Sequence, residues 1–107
     1  MASAWHNIGC ALNNLKRFEE ALPSFERALE LNPEYPSAWY HKGNALILLH
    51  RYEEALAAYD RAIDLDPTFA SAWCNKGTAL FNLQRYDDAV QAQMTWQSLK
   101  QENMSES

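Results

Sequence analysis

The side chains with metal-binding and nucleophilic chemistry open the chain. His6 and Cys10 are spaced i, i+4, so a helix would carry them on one face. Two ligands are too few for a metal site. His41 and Cys74 are the other candidates, but they lie far along the chain and spacing alone does not bring them to the first pair. The sequence therefore predicts no metal and no other cofactor. The acid pairs Glu19-Glu20, Glu53-Glu54 and Asp87-Asp88 have the composition of an acid–base site. Each pair, however, stands in the first turn of a predicted helix, where negative charge complements the helix dipole. No glycine-rich phosphate loop occurs, and no Ser/His/Asp set has convincing spacing. The expectation is a protein that is not an enzyme.

What positions these residues is a repeat. Trp5, Trp39 and Trp73 are 34 residues apart, as are Gly9, Gly43 and Gly77, Leu12, Leu46 and Leu80, and Ala21, Ala55 and Ala89. A fixed period of this size marks a repeat array. The first repeat covers 2–35, the second 36–69 and the third 70–103, with 104–107 as a polar tail. Each repeat reads as two helices, placed in the second at roughly 36–49 and 52–65 by the helical spacing of their apolar residues. Only His50 and Arg51 are left to turn the chain, so the two helices must lie antiparallel. Asn32-Pro33 and Asp66-Pro67 stop the second helices, and Pro36 suits the first turn of the next one. A mid-helix glycine costs about 1 kcal/mol relative to alanine, so three at one register imply close helix approach, with Ala21, Ala55 and Ala89 opposite. Pro23 falls inside a predicted helix and should produce a bend or an irregular first turn near Glu19, with its ring on the solvent side.

Composition excludes several classes. A chain of 107 residues forms at most one domain, and 48% hydrophobic residues suffice for a core. A net charge of −5 argues against nucleic-acid binding, which needs clustered Lys and Arg. No apolar run is long enough to span a membrane and no signal peptide is visible. Cys10 and Cys74 form no paired framework, which fits a reducing, cytoplasmic setting. No Asp or Glu falls in a first helix, where the only charges are Lys42 and Lys76.

The pattern Trp5, Gly9, Leu12, Phe18, Ala21, Phe25, Ala28, Pro33 resembles the tetratricopeptide repeat, as does Trp39, Gly43, Leu46, Tyr52, Ala55, Tyr59, Ala62, Pro67. The third copy departs after Ala89, where Gln93, Trp96 and Gln101 replace the aromatic, the small residue and the proline. The resemblance implies an all-α fold, an α-solenoid (right-handed superhelix) of three antiparallel helix pairs. It also implies a non-catalytic scaffold that binds an extended peptide or protein segment in a concave groove lined by first helices. On the family's groove positions the candidates are His6, Asn7 and Cys10, then Tyr40, His41 and Asn44, then Cys74, Asn75, Thr78 and Phe81. Ser3, Asn13, Ser37, Ile47 and Ser71 fall on the same face. The asparagines can pair with a peptide backbone in both directions. With Lys42 and Lys76 on first helices, the groove is expected to be neutral to weakly basic and its partner neutral to mildly acidic. The carboxylate clamp of co-chaperone members is absent, because His6, Cys10, Ser71 and Asn75 stand where that clamp needs Lys, Asn, Lys and Arg. Trp5, Trp39 and Trp73 fall on the core side.

The last helix raises a second function. Ala89, Ala92, Trp96 and Leu99 keep a helical stripe, so it should run to about Lys100. Gln91, Gln93, Gln97 and Gln101 give it part of a polar outer face, as a genuine terminus would have. Met94 and Trp96 do not fit that face. Self-association through Met94, Trp96 and Leu99 is the alternative expectation, making the chain a possible homo-oligomer.

Overall fold

The computed structural model describes residues 1–105, with side chains to Glu102. Its six helices are α1 (Ala2–Asn14), α2 (Phe18–Leu31), α3 (Pro36–Leu48), α4 (Tyr52–Leu65), α5 (Ala70–Asn82) and α6 (Tyr86–Ser105). No strand forms among the described residues. The array is therefore an all-α solenoid of helix pairs, as the resemblance implies. α6 runs past the expected Lys100, taking Met104 and Ser105 from the expected tail, because Gln101 and Glu102 are good helix formers. The rest of that tail, Glu106 and Ser107, lies outside the described residues.

Each pair closes through the same turn. Lys16, His50 and Gln84 adopt φ of 62°, 60° and 62°. The Lys16 N–H donates to the Asn13 carbonyl and the Arg17 N–H to the Leu12 carbonyl, and the same two bonds recur at His50-Arg51 and Gln84-Arg85. This Schellman ending usually uses glycine, since a Cβ is crowded at positive φ. Here lysine, histidine and glutamine accept the strain. The acid pairs follow in the first turns of α2, α4 and α6. Glu20, Glu54 and Asp88 pair with Arg17, Arg51 and Arg85 on the exposed surface, beside the helix N-termini whose dipole favours negative charge.

Pro23 lies on the solvent side of α2, as expected, but the irregular first turn does not form. α2 starts at Phe18 from an Arg17 backbone (φ −100, ψ 64) that matches Arg51 before α4 (φ −101, ψ 69). On the solvent side, water can take up the Glu19 carbonyl that the proline leaves unpaired.

Inside each pair, the glycine admits a ring. A Cβ on Gly43 would stand 2.7 Å from the fully buried Tyr59 ring, and Gly9 faces Phe25 in the same way. The expectation that Ala21, Ala55 and Ala89 supply the close partner is thus corrected: the aromatic four residues later fills the space. Gln93 occupies that place in the third pair and donates its amide to the Cys74 carbonyl at 3.2 Å.

Trp39 joins three apolar clusters, which together draw on all three repeats. Its indole N–H donates to the Pro33 carbonyl at 3.0 Å, and that of Trp73 to Pro67 at 2.9 Å, pinning the inter-repeat connections. The tryptophans are half-buried, and cations lie over their rings: Arg27 on Trp5, Lys42 and Arg61 on Trp39, Lys76 on Trp73. The backbones of α1 and α3, and of α3 and α5, approach closely, whereas among the described residues those of the second helices stay further apart. First helices therefore make the inner layer and second helices the outer one.

Candidate functional site

The inner layer brings together residues that sequence spacing left apart. Because α1 and α3 are neighbours, His41 comes to the His6–Cys10 face. His6 Nε2 lies 3.3 Å from His41 Nδ1 and 3.6 Å from Cys10 Sγ. The Tyr35 hydroxyl is 3.2 Å from His6 Nδ1, and His41 Nδ1 is 2.8 Å from the Ser37 carbonyl. A carbonyl only accepts, so His41 carries its proton on Nδ1. Burial, and secondarily His41, pulls the His6 pKa below its usual value. Burial pushes the Cys10 thiol up.

One repeat on, the same positions are Tyr40, Asn44 and Asn75. The Asn75 amide donates to the Tyr40 hydroxyl at 3.2 Å and to Asn44 Oδ1 at 2.8 Å. Asn44 Oδ1 also accepts the hydroxyl of Tyr59. Burial pushes the Tyr59 hydroxyl well up, so it stays protonated and donates. Asn44 and Asn75, expected to be free for a ligand, are thus half engaged in holding the fold. Asn44 Nδ2 and Asn75 Oδ1 keep no side-chain or backbone partner among the described residues.

Cys10, Asn13, Tyr40, His41, Asn44 and Leu48 line a cleft of 520 Å³, together with Asn14, Lys16 and Phe18. Asn13 donates its amide to the His41 carbonyl at 3.2 Å, while its Oδ1 is buried without a partner. Tyr40 is wedged among Phe69 (4.9 Å), His41 (5.0 Å) and Tyr59 (6.0 Å), so it shapes the wall more than it reaches out. Asn7 and Thr78 are exposed, and Cys74 is half-buried beside Asn75. Lys42 and Lys76 do not face this cleft. They lie over tryptophans, and Lys76 pairs with Asp60 of α4 at 2.8 Å; the lysine that lines the cleft is Lys16.

Phe81 lies at the far end, 62% exposed and edge-on to Tyr86 at 5.4 Å. With Val90 and Met94 it lines an apolar cleft of 770 Å³ between α5 and α6. Met94 belongs to this open face. Trp96 and Leu99 are half-buried, and Lys100 lies over the Trp96 ring at 4.9 Å, so the apolar patch centres on Phe81, Tyr86, Val90 and Met94 instead of Trp96.

Patterns described as tetratricopeptide repeat match residues 6–68 and 58–91. The chain belongs to the tetratricopeptide repeat family. The second such domain of Spaghetti (RPAP3), solved with the HSP90 peptide SRMEEVD, superposes with a TM-score of 0.90 at 23% identity, over 92% of this chain and 91% of that one. The first domain of Spaghetti, with the same peptide, gives 0.90 at 19% identity, over 92% and 78%. A crystal structure of MamA gives 0.94 at 24% identity, over 98% of this tetratricopeptide chain and 61% of MamA. This chain thus spans about three-fifths of MamA. At these identities the likeness is one of fold. No curated protein sequence matches. Among the described residues no helix is long and apolar enough to cross a membrane.

Sequence reasoning missed Tyr35 and Leu48 as parts of the inner face, and Tyr59 as the buried hydroxyl beneath it. One signal was available for Tyr59. Phe25 and Tyr59 share a register, and only the one with a hydroxyl stands opposite an asparagine.

Proposed function

We propose that this tetratricopeptide array is a non-catalytic interaction scaffold whose inner face holds an extended peptide or protein segment. The observation that carries the reading is the 520 Å³ cleft of the inner face, where Asn44 Nδ2 is a donor with no side-chain or backbone partner among the described residues. A peptide carbonyl would pair with it. The peptide-bound Spaghetti domains support peptide as the ligand class. The chemistry of the cleft points to a neutral segment, mildly acidic where it meets Lys16. His6, Cys10, Ser71 and Asn75 supply no fixed positive charge for a terminal carboxylate. The net charge of −5 disfavours nucleic acid, and two cysteines without a disulfide suit the cytoplasm.

The test is selection of extended peptides from a display library, followed by titration against wild type and Asn44→Asp, which removes the donor and keeps an acceptor for Tyr59 and Asn75. Selected peptides should lose about 2- to 12-fold in affinity, the worth of one hydrogen bond, while melting changes little. Peptides that bind Asn44→Asp equally well would remove the inner face from the function.

A second reading, self-association, rests on a different observation. Ala38, Ala45, Ala72 and Ala79 are fully buried against the preceding second helix, while Ala4 and Ala11 at the same positions of α1 are exposed. Leu22 and Leu56 are 7% and 8% exposed, and their counterpart Val90 is 55% exposed. The two faces are halves of one repeated interface. A second copy docking head-to-tail would complete both, with Met94 at its edge and Trp96 and Leu99 behind it. Light scattering over a concentration series should show growing assemblies that Val90→Lys abolishes; a monomer at every concentration would exclude this reading.

A further inference from the structure

We propose that His6, Cys10 and His41 form a zinc-binding site at the seam between the first two repeats. All three residues offer ligand atoms within 4.8 Å of one another. Tetrahedral zinc, with bonds of about 2.0–2.1 Å to nitrogen and about 2.3 Å to sulfur, sets ligand edges of roughly 3.3 Å between nitrogens and roughly 3.6 Å from nitrogen to sulfur. The structure has 3.3 Å from His6 Nε2 to His41 Nδ1 and 3.6 Å from His6 Nε2 to Cys10 Sγ. Two adjustments are needed: the Cys10–His41 edge must close, and His41 Nδ1 must turn from the Ser37 carbonyl.

The surroundings suit a metal centre. The Tyr35 hydroxyl on His6 Nδ1 fixes that ring and leaves the Nε2 lone pair facing the other two ligands. Phe25 lies 6.1 Å from the His6 ring and 6.3 Å from the His41 ring, and Tyr40 meets His41 edge-on at 5.0 Å. These rings wall the site on the protein side. Cys10 and His41 also line the 520 Å³ cleft, so a fourth position is open to water.

The second seam is the internal control. There the same three positions hold Tyr40, Asn44 and Asn75, which satisfy one another by hydrogen bonds. The fold therefore needs polar groups at these positions, and it does not need two imidazoles and a thiol.

On binding, the Cys10 S–H bond breaks, the sulfur–zinc bond forms and the proton leaves to solvent. The His41 proton moves from Nδ1 to Nε2, freeing the Nδ1 lone pair. The Ser37 carbonyl loses that contact and keeps its place at the helix. One proton is released per zinc. The inference is independent of the peptide reading, since metal uptake is measured without peptide, and its failure leaves that reading in place.

The experiment is a titration of the reduced chain with Co²⁺, then displacement by Zn²⁺. Expected are one tight site, visible d–d bands, a thiolate-to-cobalt charge-transfer band, one proton released, and a raised melting midpoint with Zn²⁺. Cys74→Ser should leave all of these unchanged. Cys10→Ser should abolish the charge-transfer band and weaken binding on the order of tenfold or more. The triple swap His6→Tyr, Cys10→Asn, His41→Asn, which writes the second seam into the first, should stay folded by circular dichroism and bind no metal. Wild-type chain that takes up no Co²⁺ or Zn²⁺ saturably overturns the proposal without reference to any variant. So does uptake by Cys10→Ser with unchanged affinity.

Discussion

The two seams of the inner layer use one backbone geometry and two chemistries. At the first, His6, Cys10 and His41 meet, with Tyr35 outside them and Phe25 beneath. At the second, Tyr40, Asn44 and Asn75 meet, with Phe69 outside and Tyr59 beneath. The hydroxyl has changed places. Tyr59 brings one into the core, and Asn44 is there to accept it; Phe25 brings none, and Cys10 suffices. On the outer side, Tyr35 supplies the hydroxyl that His6 uses, while Phe69 only packs its tilted ring against Tyr40. Each seam is thus bonded as a unit of its own, and a residue's role at one seam does not transfer to the same register at the other.

The largest expected effect comes from the residue that spans both seams. Trp39→Ala should cost about 3–5 kcal/mol and unfold much of a three-repeat array, because Trp39 joins clusters on either side. Trp5→Ala, which touches only the cluster of the first seam, should cost less. Equal midpoints for the two variants in thermal melts would show that the seams do not share Trp39.

Next is the seam contrast itself. Asn44→Ala should cost about 1–3 kcal/mol by stranding the buried Tyr59 hydroxyl, and Tyr59→Phe in the same chain should restore most of it. Cys10→Ala strands no hydroxyl and should cost less than Asn44→Ala. Denaturant titrations of the four chains form the check, and the contrast fails if Tyr59→Phe gives no rescue.

The turns should behave alike at every pair. Lys16→Gly, His50→Gly and Gln84→Gly each relieve a side chain at positive φ and should stabilise by about 0.5–1 kcal/mol. A loss of stability at any one would mean that its side chain makes a contact outweighing the strain.

The smallest effect is a pH dependence confined to the first seam. His6 has a folded pKa below its usual 6.5, first through burial and then through His41. As pH falls through about 6.5 the unfolded chain takes the proton before the folded one, so stability declines until folded His6 also protonates; above that range it makes no difference. Melts at about pH 7.5 and about pH 5.5 should show a drop that His6→Tyr reduces. An identical drop in that variant would assign it to other groups.

The sequence by itself determined the repeat, the helix pairs, the turn positions and the family. These follow from a period of 34 and from local rules of helix spacing, proline and two-residue turns, which act over a few neighbours. It also placed the inner-face residues in the correct register, because register follows from the period. Only the tertiary structure decided their partners. His41 reaches His6 across 35 residues of chain, and Asn44 is occupied by a hydroxyl from the facing helix. Lys76 swings to Asp60, and Gly43 makes room for Tyr59 where Ala55 was expected. Each of these depends on side-chain direction between packed helices, within distances of a few ångströms. A repeat period fixes which positions face one another, and the atoms that meet there are chosen by the particular pair of side chains.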